Sequence, residues 1–600
     1  MQTKLHTLLV GAACALLPVS AFAQIDFLTG VTLPRGGEII SFYGASSTLL
    51  VTDSYSNAAG YHRIQPYTLG SNGALTAGTA ISLNIAETFG TLATNTLSLS
   101  SVLADNQGRD FGVASLIPAT NGTTLGKVAF FQISTGNFIT ALEVGYHPDS
   151  VTITPDGTKL IVTNEAEYVA SENSTTAAPG SVTVIDISSV GSGASGISSL
   201  SGSNVTTIDF SSGNLVGAAS IAGLRINTTG VAAGDKFRYI EPEYTTASNS
   251  KAYVTLQENN AIATIDLTGP NANKVTAIHD LGTNTQTIDA SDRDGAGSGS
   301  SAVNRVRAID DVVVGLPEPD TITKFERNGT TYLVTANEGD ARPDDADVTA
   351  FASANIDPTV LAALDANPLY SGLPLKSKDE NALGRLKLLN NVGDTDNDGD
   401  IDVPTMLGSR SFSIFNASTG ELVADSGSSL EQYVLTNNPG VFNTNNGTAA
   451  DFDTRSDDKG PEPEALAFGT VNGRNLVFVG NERENGIFAF DITDINLTDV
   501  NFDDISTANV IGYYNPITGT ADDASGAALV SPESMLFLAA GDVNNPTGKN
   551  ILIVGFEGTG TNGSIGVFEV SAIPEPSTAA ALAGFGALGL AALRRRRSSR

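Results

Sequence analysis

GPEPEALAFGTVNGRNLVFVGNERENGIFAFDI, residues 460 to 492, is the stretch whose reading decides the fold. It opens on a Pro-Glu turn and enters a short apolar segment, Ala465 to Phe468. A polar turn (Asn472, Gly473, Arg474) leads to a strand-like run, Leu476 to Val479, which ends on Asn481-Glu482. A second turn at Asn485-Gly486 leads to Ile487 to Phe490, closed by Asp491. Apolar runs this short, divided by Asn-Gly-type turns, predict an antiparallel meander and not helices. One such unit cannot bury both faces of its sheet, so copies are expected.

Four more segments read as copies. His147-Pro148-Asp149 leads through Val151 to Ile153 and Leu160 to Val162, ending on Asn164-Glu165, with Val182 to Ile187 behind it. Glu241-Pro242-Glu243 leads to Ala252 to Leu256, then Gln257-Glu258 and Ile262 to Leu267. Pro317-Glu318-Pro319-Asp320 leads to Tyr332 to Thr335 and Asn337-Glu338. Pro532-Glu533 leads to Ile551 to Val554, Phe556-Glu557 and Ile565 to Val570. A four-strand meander recurring at irregular intervals predicts an all-β fold, a β-propeller. Residues 38 to 142 hold alternating runs without these marks and read as about two degenerate units. Ile25 to Thr32 reads as a strand that closes the ring against Ile565 to Val570.

Two stretches depart from the pattern. Residues 339 to 409 interrupt one unit as a helical insertion: Asp357-Pro358 reads as an N-cap with Pro at the first helical position, and a second helix is expected over Glu380 to Leu389. The partner strand resumes at Ser411 to Phe415. Residues 188 to 232 and Asn438 to Gly460 read as polar loops.

Both ends are addresses and not fold. Residues 1 to 23 carry Lys4, an apolar stretch from Leu8 to Leu17, and Ala21-Phe22-Ala23, which predicts a signal peptide cut before Gln24. The single cysteine, Cys14, leaves with it, so the mature chain has no thiol chemistry. Residues 574 to 600 carry Pro574-Glu575-Pro576, an apolar run from Ser577 to Leu593 and the arginines 594 to 597. The run is long enough to span a bilayer with the arginines cytoplasmic. The order of these parts resembles a PEP-CTERM sorting signal of Gram-negative bacteria. That resemblance implies export, transient inner-membrane anchoring, and exosortase processing after signal peptidase. The expected destination is the cell surface or extracellular matrix. The formal net charge of −33 argues against a nucleic-acid partner and suits divalent cations.

Candidate chemistry is carboxylate chemistry. Asp394, Asp396, Asp398, Asp400 and Asp402 alternate around Gly399, which predicts oxygen ligands wrapped around a hard cation, calcium. Thr405 stands where an EF-hand needs an acid, so the loop is of a looser type. Asp289, Asp292 and Asp294, before Gly295, form a second candidate metal loop. The recurring acids Glu243, Asp320, Glu464 and Glu533, with Glu165, Glu258, Glu338 and Glu482, would meet around a propeller axis. Such a ring needs cations or hydrogen bonds to offset its repulsion. The alternative is that Pro-Glu merely starts a strand and Asn-Glu caps a turn. Arg342 and Arg483 follow Glu338 and Glu482 closely, so Glu338, Arg342, Glu464, Glu482 and Arg483 are the candidate ligand-binding set. Only His62, His147 and His279 survive maturation, and no Gly-x-Ser-x-Gly elbow appears, so nucleophilic catalysis is weakly supported.

DASDRDG (Asp289 to Gly295), LPEPDTI (Leu316 to Ile322), TYLVTANEGDAR (Thr331 to Arg342), GDTDNDGDID (Gly393 to Asp402), GSRSFSIF (Gly408 to Phe415), GPEPEAL and VGNERENGI stand in this order within residues 35 to 570. On these the chain resembles the choice-of-anchor I family of secreted bacterial proteins. The resemblance implies a propeller of about seven blades over residues 24 to 573. It does not fix an activity. Some relatives are labelled alkaline phosphatase, and the EPE motifs are similar to those of phytase-like propellers, where carboxylate-held calcium activates water. No triplet here matches such a site, so no catalytic residue is assigned. Two readings follow: a calcium-stabilised surface propeller presenting a binding face, with matrix polysaccharide as partner, or a calcium-dependent phosphoesterase.

Overall fold

A computed structural model describes residues 24–34, 36–54, 62–83, 98–118, 122–166, 177–191, 194–226, 231–293, 309–341, 347–390, 392–447, 451–498, 505–517, 529–558 and 562–571. The signal segment, the sorting tail, Arg342 and Asp294 lie outside the described residues. Among those described, no helix is long and apolar enough to cross a membrane. The run Ser577 to Leu593 is not among them.

The decisive stretch forms the strands Pro463–Val471, Arg474–Asn481 and Ile487–Asp491, joined antiparallel, with Val510–Tyr514 as the fourth. Asn472 and Gly473 both take positive φ, 50° and 78°, the backbone of a tight two-residue hairpin turn. Alternation along the sheet sends side chains to both neighbours. Val477, Val479, Phe488 and Phe490 pack with Phe412 and Ile414 on one side. Leu476, Phe478, Ile487 and Ala489 pack with Leu552, Val554 and Phe556 on the other. Each such side chain contributes about 1.5–3 kcal/mol when fully buried, so the sheet is stable only between two others.

The same architecture repeats. Seven sheets among the described residues begin with Ile40–Tyr43, Ser98–Ala104, Pro148–Ile153, Pro242–Ala247, Ile322–Arg327, Pro463–Val471 and Pro532–Leu538. We call them blades one to seven. Each first strand adjoins the next, and the seventh adjoins the first, so the innermost strands close a cycle. The fold is an all-β propeller. Ile25–Thr32 pairs antiparallel with Ser564–Val570, from Ile25 opposite Val570 to Thr32 opposite Ser564. The first and last strands of the described propeller thus share blade seven and close the ring, with Ile25–Thr32 as that blade's outer strand. The two unmarked units expected within residues 38 to 142 are blades one and two.

Three loops differ from expectation. Residues 188 to 232 supply a real strand, Val205–Asp209, which completes blade three beside Ser181–Asp186. The insertion keeps the helix Pro358–Asp365, whose cap Asp357 accepts hydrogen bonds from the Thr359 and Val360 amides. The helix expected over Glu380 to Leu389 is replaced by turns and a strand, Lys387–Leu389, because that segment pairs with Val348–Ala350 and with Thr405–Met406. These strands join Asn284–Ile288 and Asp311–Gly315 in an eighth, five-stranded sheet that contains a parallel pair, Asp311–Gly315 with Thr405–Met406.

The third difference matters most. The polar segment expected as a surface loop after Asn438 is folded inward, behind a helix at Ser429–Asn437. Phe442, Asn443, Thr444, Asp453 and Ser456 are buried. Their polarity is satisfied internally: Asn443 donates to Glu431 Oε1 at 2.7 Å and to Ser456 Oγ at 2.9 Å, and Ser456 Oγ donates to Asp453 at 2.6 Å. A polar sequence here marks a buried hydrogen-bond network, not solvent.

Candidate functional site

The Pro-acid and Asn-Glu marks have a backbone role first. The residue before the proline takes positive φ in four blades: 45° at His147, 42° at Glu318, 51° at Glu462 and 58° at Ser531. Its carbonyl accepts an amide from the end of the second strand: Glu165 to His147 at 2.9 Å, Gly339 to Glu318 at 3.2 Å, Glu482 to Glu462 at 2.8 Å, Glu557 to Ser531 at 2.9 Å. Buried asparagines cap the same bends, as when Asn260 Oδ1 accepts from the Glu318 amide at 2.9 Å. The bend is thus locked where each innermost strand begins.

That lock places the following acid inside the ring. Hydroxyls on one blade donate to the acid's carbonyl on the next: Ser100 to Asp149 at 3.1 Å, Ser150 to Glu243 at 2.9 Å, Thr321 to Glu464, and Ser534 to Glu38. Asp149, Glu243, Asp320, Glu464, Glu533 and Glu38 therefore face one another. Burial, then repulsion among these groups, pushes Glu243, Asp320, Glu464 and Glu533 well above the usual carboxylate range. Glu38 and Asp149 are raised to about 7, by burial first. Both are partly reached by water although protein encloses them on nearly all sides, as a narrow interior requires. The Tyr244 phenol faces the same acids and is raised by burial and by Asp320 and Asp149.

Within the ring, carboxylates gather in threes. Oxygens of Glu165, Glu243 and Glu258 lie within 4.8 Å of one another, as do those of Asp320, Glu338 and Glu464, and of Glu338, Glu462 and Glu482. The last triple is met by cations. Lys459 Nζ lies 2.7 Å from Glu338 Oε1 and 3.1 Å from Glu462 Oε2. Arg483 reaches Glu462 at 3.2 Å and Glu482 at 2.7 Å, and Arg455 pairs with Glu462 as well. Burial alone would raise Glu462, but Lys459, Arg455 and Arg483 outweigh it and hold the carboxyl at about 2. Glu482, raised to about 8 by burial and by Glu462, is the less compensated neighbour.

Of the residues singled out in the sequence, Glu338, Glu464, Glu482 and Arg483 come together here. Glu462, Lys459, Arg455, Glu38 and Tyr244 were not legible. Glu462 was hidden as the first acid of Glu-Pro-Glu, Lys459 sat in a presumed loop, and Glu38 carries no proline mark.

The aspartate loop stands apart, in the insertion. Gly399 takes φ 97°, and Asp394 accepts the Asn397 amide at 2.7 Å and the Gly399 amide at 3.1 Å. Oxygens of Asp394, Asp396 and Asp402 lie within 4.8 Å, and Asp402 also joins Asp357 and Asp400 in such a triple. Partial desolvation and repulsion from Asp398 raise Asp400 to about 6, whereas the Thr395 hydroxyl and amide lower Asp402. In the other candidate loop, Asp292 meets Arg385 at 2.6 Å and Arg293 at 3.2 Å. Asp289 is buried, and its carbonyl accepts from Arg410 at 2.9 Å.

A family model, the choice-of-anchor I domain, matches residues 38–495. The chain belongs to the choice-of-anchor I family. A PEP-CTERM protein-sorting motif matches residues 572–597. This choice-of-anchor I protein is exported, sorted by exosortase and displayed at the cell surface. Gigasin-3a of Magallana gigas is 30% identical over 200 residues, which cover 32% of this chain and 66% of that protein. Among solved structures, the periplasmic gluconolactonase PpgL of Pseudomonas aeruginosa is 13% identical, covering 76% of this chain and 81% of that one at a TM-score of 0.34. BamB from Moraxella catarrhalis is 9% identical, covering 91% and 99% at a TM-score of 0.34.

Proposed function

We propose that the choice-of-anchor I propeller is a calcium-loaded binding module of the extracellular matrix, and that its ligand is an acidic polysaccharide met at the ring's acid-lined end. The observation that supports this reading is the meeting of both charge signs in one place. Lys459, Arg455 and Arg483 converge on Glu462 beside the carboxylates of Glu338, Glu464 and Glu482. Calcium on the carboxylates and cations at their edge would together engage carboxylate or phosphate groups of a polymer. Arg342, which follows Glu338 closely in the sequence, belongs to the proposed binding set. Calcium in the loop Asp394, Asp396, Asp398, Asp400 and Asp402, and in the loop Asp289, Asp292 and Asp294, would stabilise the scaffold. Before exosortase cleavage, the run Ser577 to Leu593 would hold the protein in the inner membrane.

The same juxtaposition favours the phosphoesterase reading, since carboxylate-held calcium beside arginine suits phosphoryl groups without histidine or cysteine. One set of measurements separates the two. The secreted protein is assayed for retention on uronate-rich polysaccharide and for hydrolysis of a phosphomonoester and a phosphodiester, with calcium and then with chelator. The expected result is calcium-dependent retention without turnover. Hydrolysis that needs calcium and disappears in Glu464→Gln would replace the binding module with an enzyme.

A further inference from the structure

We propose that Asp320, Glu338 and Glu464 form a divalent-cation site inside the ring, that calcium is its cation, and that Lys459 is a built-in competitor for it. This deepens the calcium reading above by assigning a site separate from the aspartate loop.

Three strand ends converge to make the site. Asp320 precedes the innermost strand of blade five, Glu338 follows that blade's second strand, and Glu464 lies on the innermost strand of blade six. Their oxygens lie within 4.8 Å of one another. Three converging carboxylates supply the oxygen donors that a hard divalent cation takes, and calcium accepts such flexible, irregular oxygen sets more readily than magnesium does. The donors are all oxygen, which disfavours the softer metals.

A second observation points to a missing partner. Asp320 is 5% exposed and Glu464 is 9% exposed. Asp320 Oδ2 and Glu464 Oε2 are buried without a hydrogen-bond partner. Buried carboxylate oxygens rarely go unmatched, and a cation among three of them answers the deficit. The backbone around them is already fixed. The Asp320 amide donates to the Ala336 carbonyl at 3.1 Å, and Thr321 donates to the Glu464 carbonyl, tying blade five to blade six.

Glu338 is oriented by Gln257 Nε2, at 3.1 Å from its Oε2, and by Lys459 Nζ, at 2.7 Å from its Oε1. The ammonium therefore occupies an oxygen that a metal would use. It has somewhere else to go: the carboxylates of Glu462 at 3.1 Å and Asp340 at 3.8 Å also form ion pairs with it. Calcium entry would draw Glu338 from Lys459 and leave the lysine on Glu462 and Asp340. Removing Lys459 would not strand Glu462, which keeps Arg455 and Arg483.

The test counts calcium by equilibrium dialysis and titration calorimetry on the secreted protein, using Asp402→Asn to silence the loop. In that background, Glu464→Gln is expected to remove one bound calcium equivalent. Lys459→Met is expected to tighten the same equivalent by about tenfold, because a competing charge worth about 1.4 kcal/mol has gone. A lysine with a purely structural role would instead weaken binding or leave it unchanged when lost. Unaltered stoichiometry in Glu464→Gln, or calcium binding that is unchanged or weaker in a folded Lys459→Met, overturns the proposal. Polysaccharide retention reports on the functional reading separately. Calcium lost in Glu464→Gln with retention intact would keep this site and reject the ring as the polymer's seat.

Discussion

Arg410→Met is expected to destabilise the protein by about 3–5 kcal/mol, the cost of leaving a buried carboxylate unpaired. The guanidinium is 1% exposed and Glu431, its partner at 2.9 Å, is 0% exposed. Nη1 also reaches the Asp289 carbonyl at 2.9 Å, and Nη2 reaches the carbonyls of Ser456 at 2.7 Å and Asp458 at 2.8 Å. One side chain thereby joins the start of a blade-five strand, the helix Ser429–Asn437 and the folded segment that delivers Lys459. Lysine would not replace it, since a single ammonium lacks the planar fork that spans these acceptors. Denaturant unfolding measures the loss, and the double variant Arg410→Met with Glu431→Leu should recover much of it. A single-variant loss below about 1 kcal/mol would mean that Glu431 finds another partner or a proton.

With calcium chelated, stability is expected to peak near pH 5 and fall steadily as pH rises to about 8. The signs follow from four groups. Glu484, 0% exposed, is raised to about 8 by burial, and Glu38 and Asp149 are raised to about 7. Each holds a proton in the folded state that the unfolded chain has released above its ordinary pKa near 4.5 or 3.8, so folding loses free energy as pH rises through this window. His147, lowered to about 4 by burial, works oppositely and costs stability as pH falls below 6.5. The three acids outnumber it. Below pH 4.5 the balance reverses, because the unfolded chain takes up a proton at Glu462 that the folded carboxyl, held at about 2, does not bind.

Glu484 isolates the effect from the proposed metal site. It accepts from Asn481 Nδ2 at 2.8 Å and lies within 3.4 Å of the Tyr513 hydroxyl. Glu484→Gln keeps the shape and removes the ionisation. It should flatten the alkaline limb by on the order of 4 kcal/mol at pH 9. Thermal midpoints in chelator from pH 4 to 9 test both statements. A midpoint that rises toward pH 8, or a Glu484→Gln curve that superimposes on the parent, would show that these acids ionise inside the fold at little cost.

Strands and turns were legible because their signals are local. Asn472-Gly473 demands a tight turn, and the runs Leu476 to Val479 and Ile487 to Phe490 are too short for helices; the observed strands contain both runs. Asp357-Pro358 likewise announced the insertion helix Pro358–Asp365 correctly. Glu380 to Leu389 misled because its helix-like spacing is overridden by pairing with Val348–Ala350, a partner that no local window contains. The segment after Asn438 misled for a different reason: polarity does not distinguish a residue facing water from one facing a buried hydrogen-bond partner.

By itself, then, the sequence determined the repeating meander, the strand that closes the ring, the family and the C-terminal sorting motif, all carried by short-range patterns. Tertiary structure alone decided which acids meet and what neutralises them. Lys459 reaches Glu338 across 121 residues, and Thr321 fixes the Glu464 backbone across 143. Charge energies depend on distance and burial in three dimensions, and neither is written in the spacing of residues along a chain.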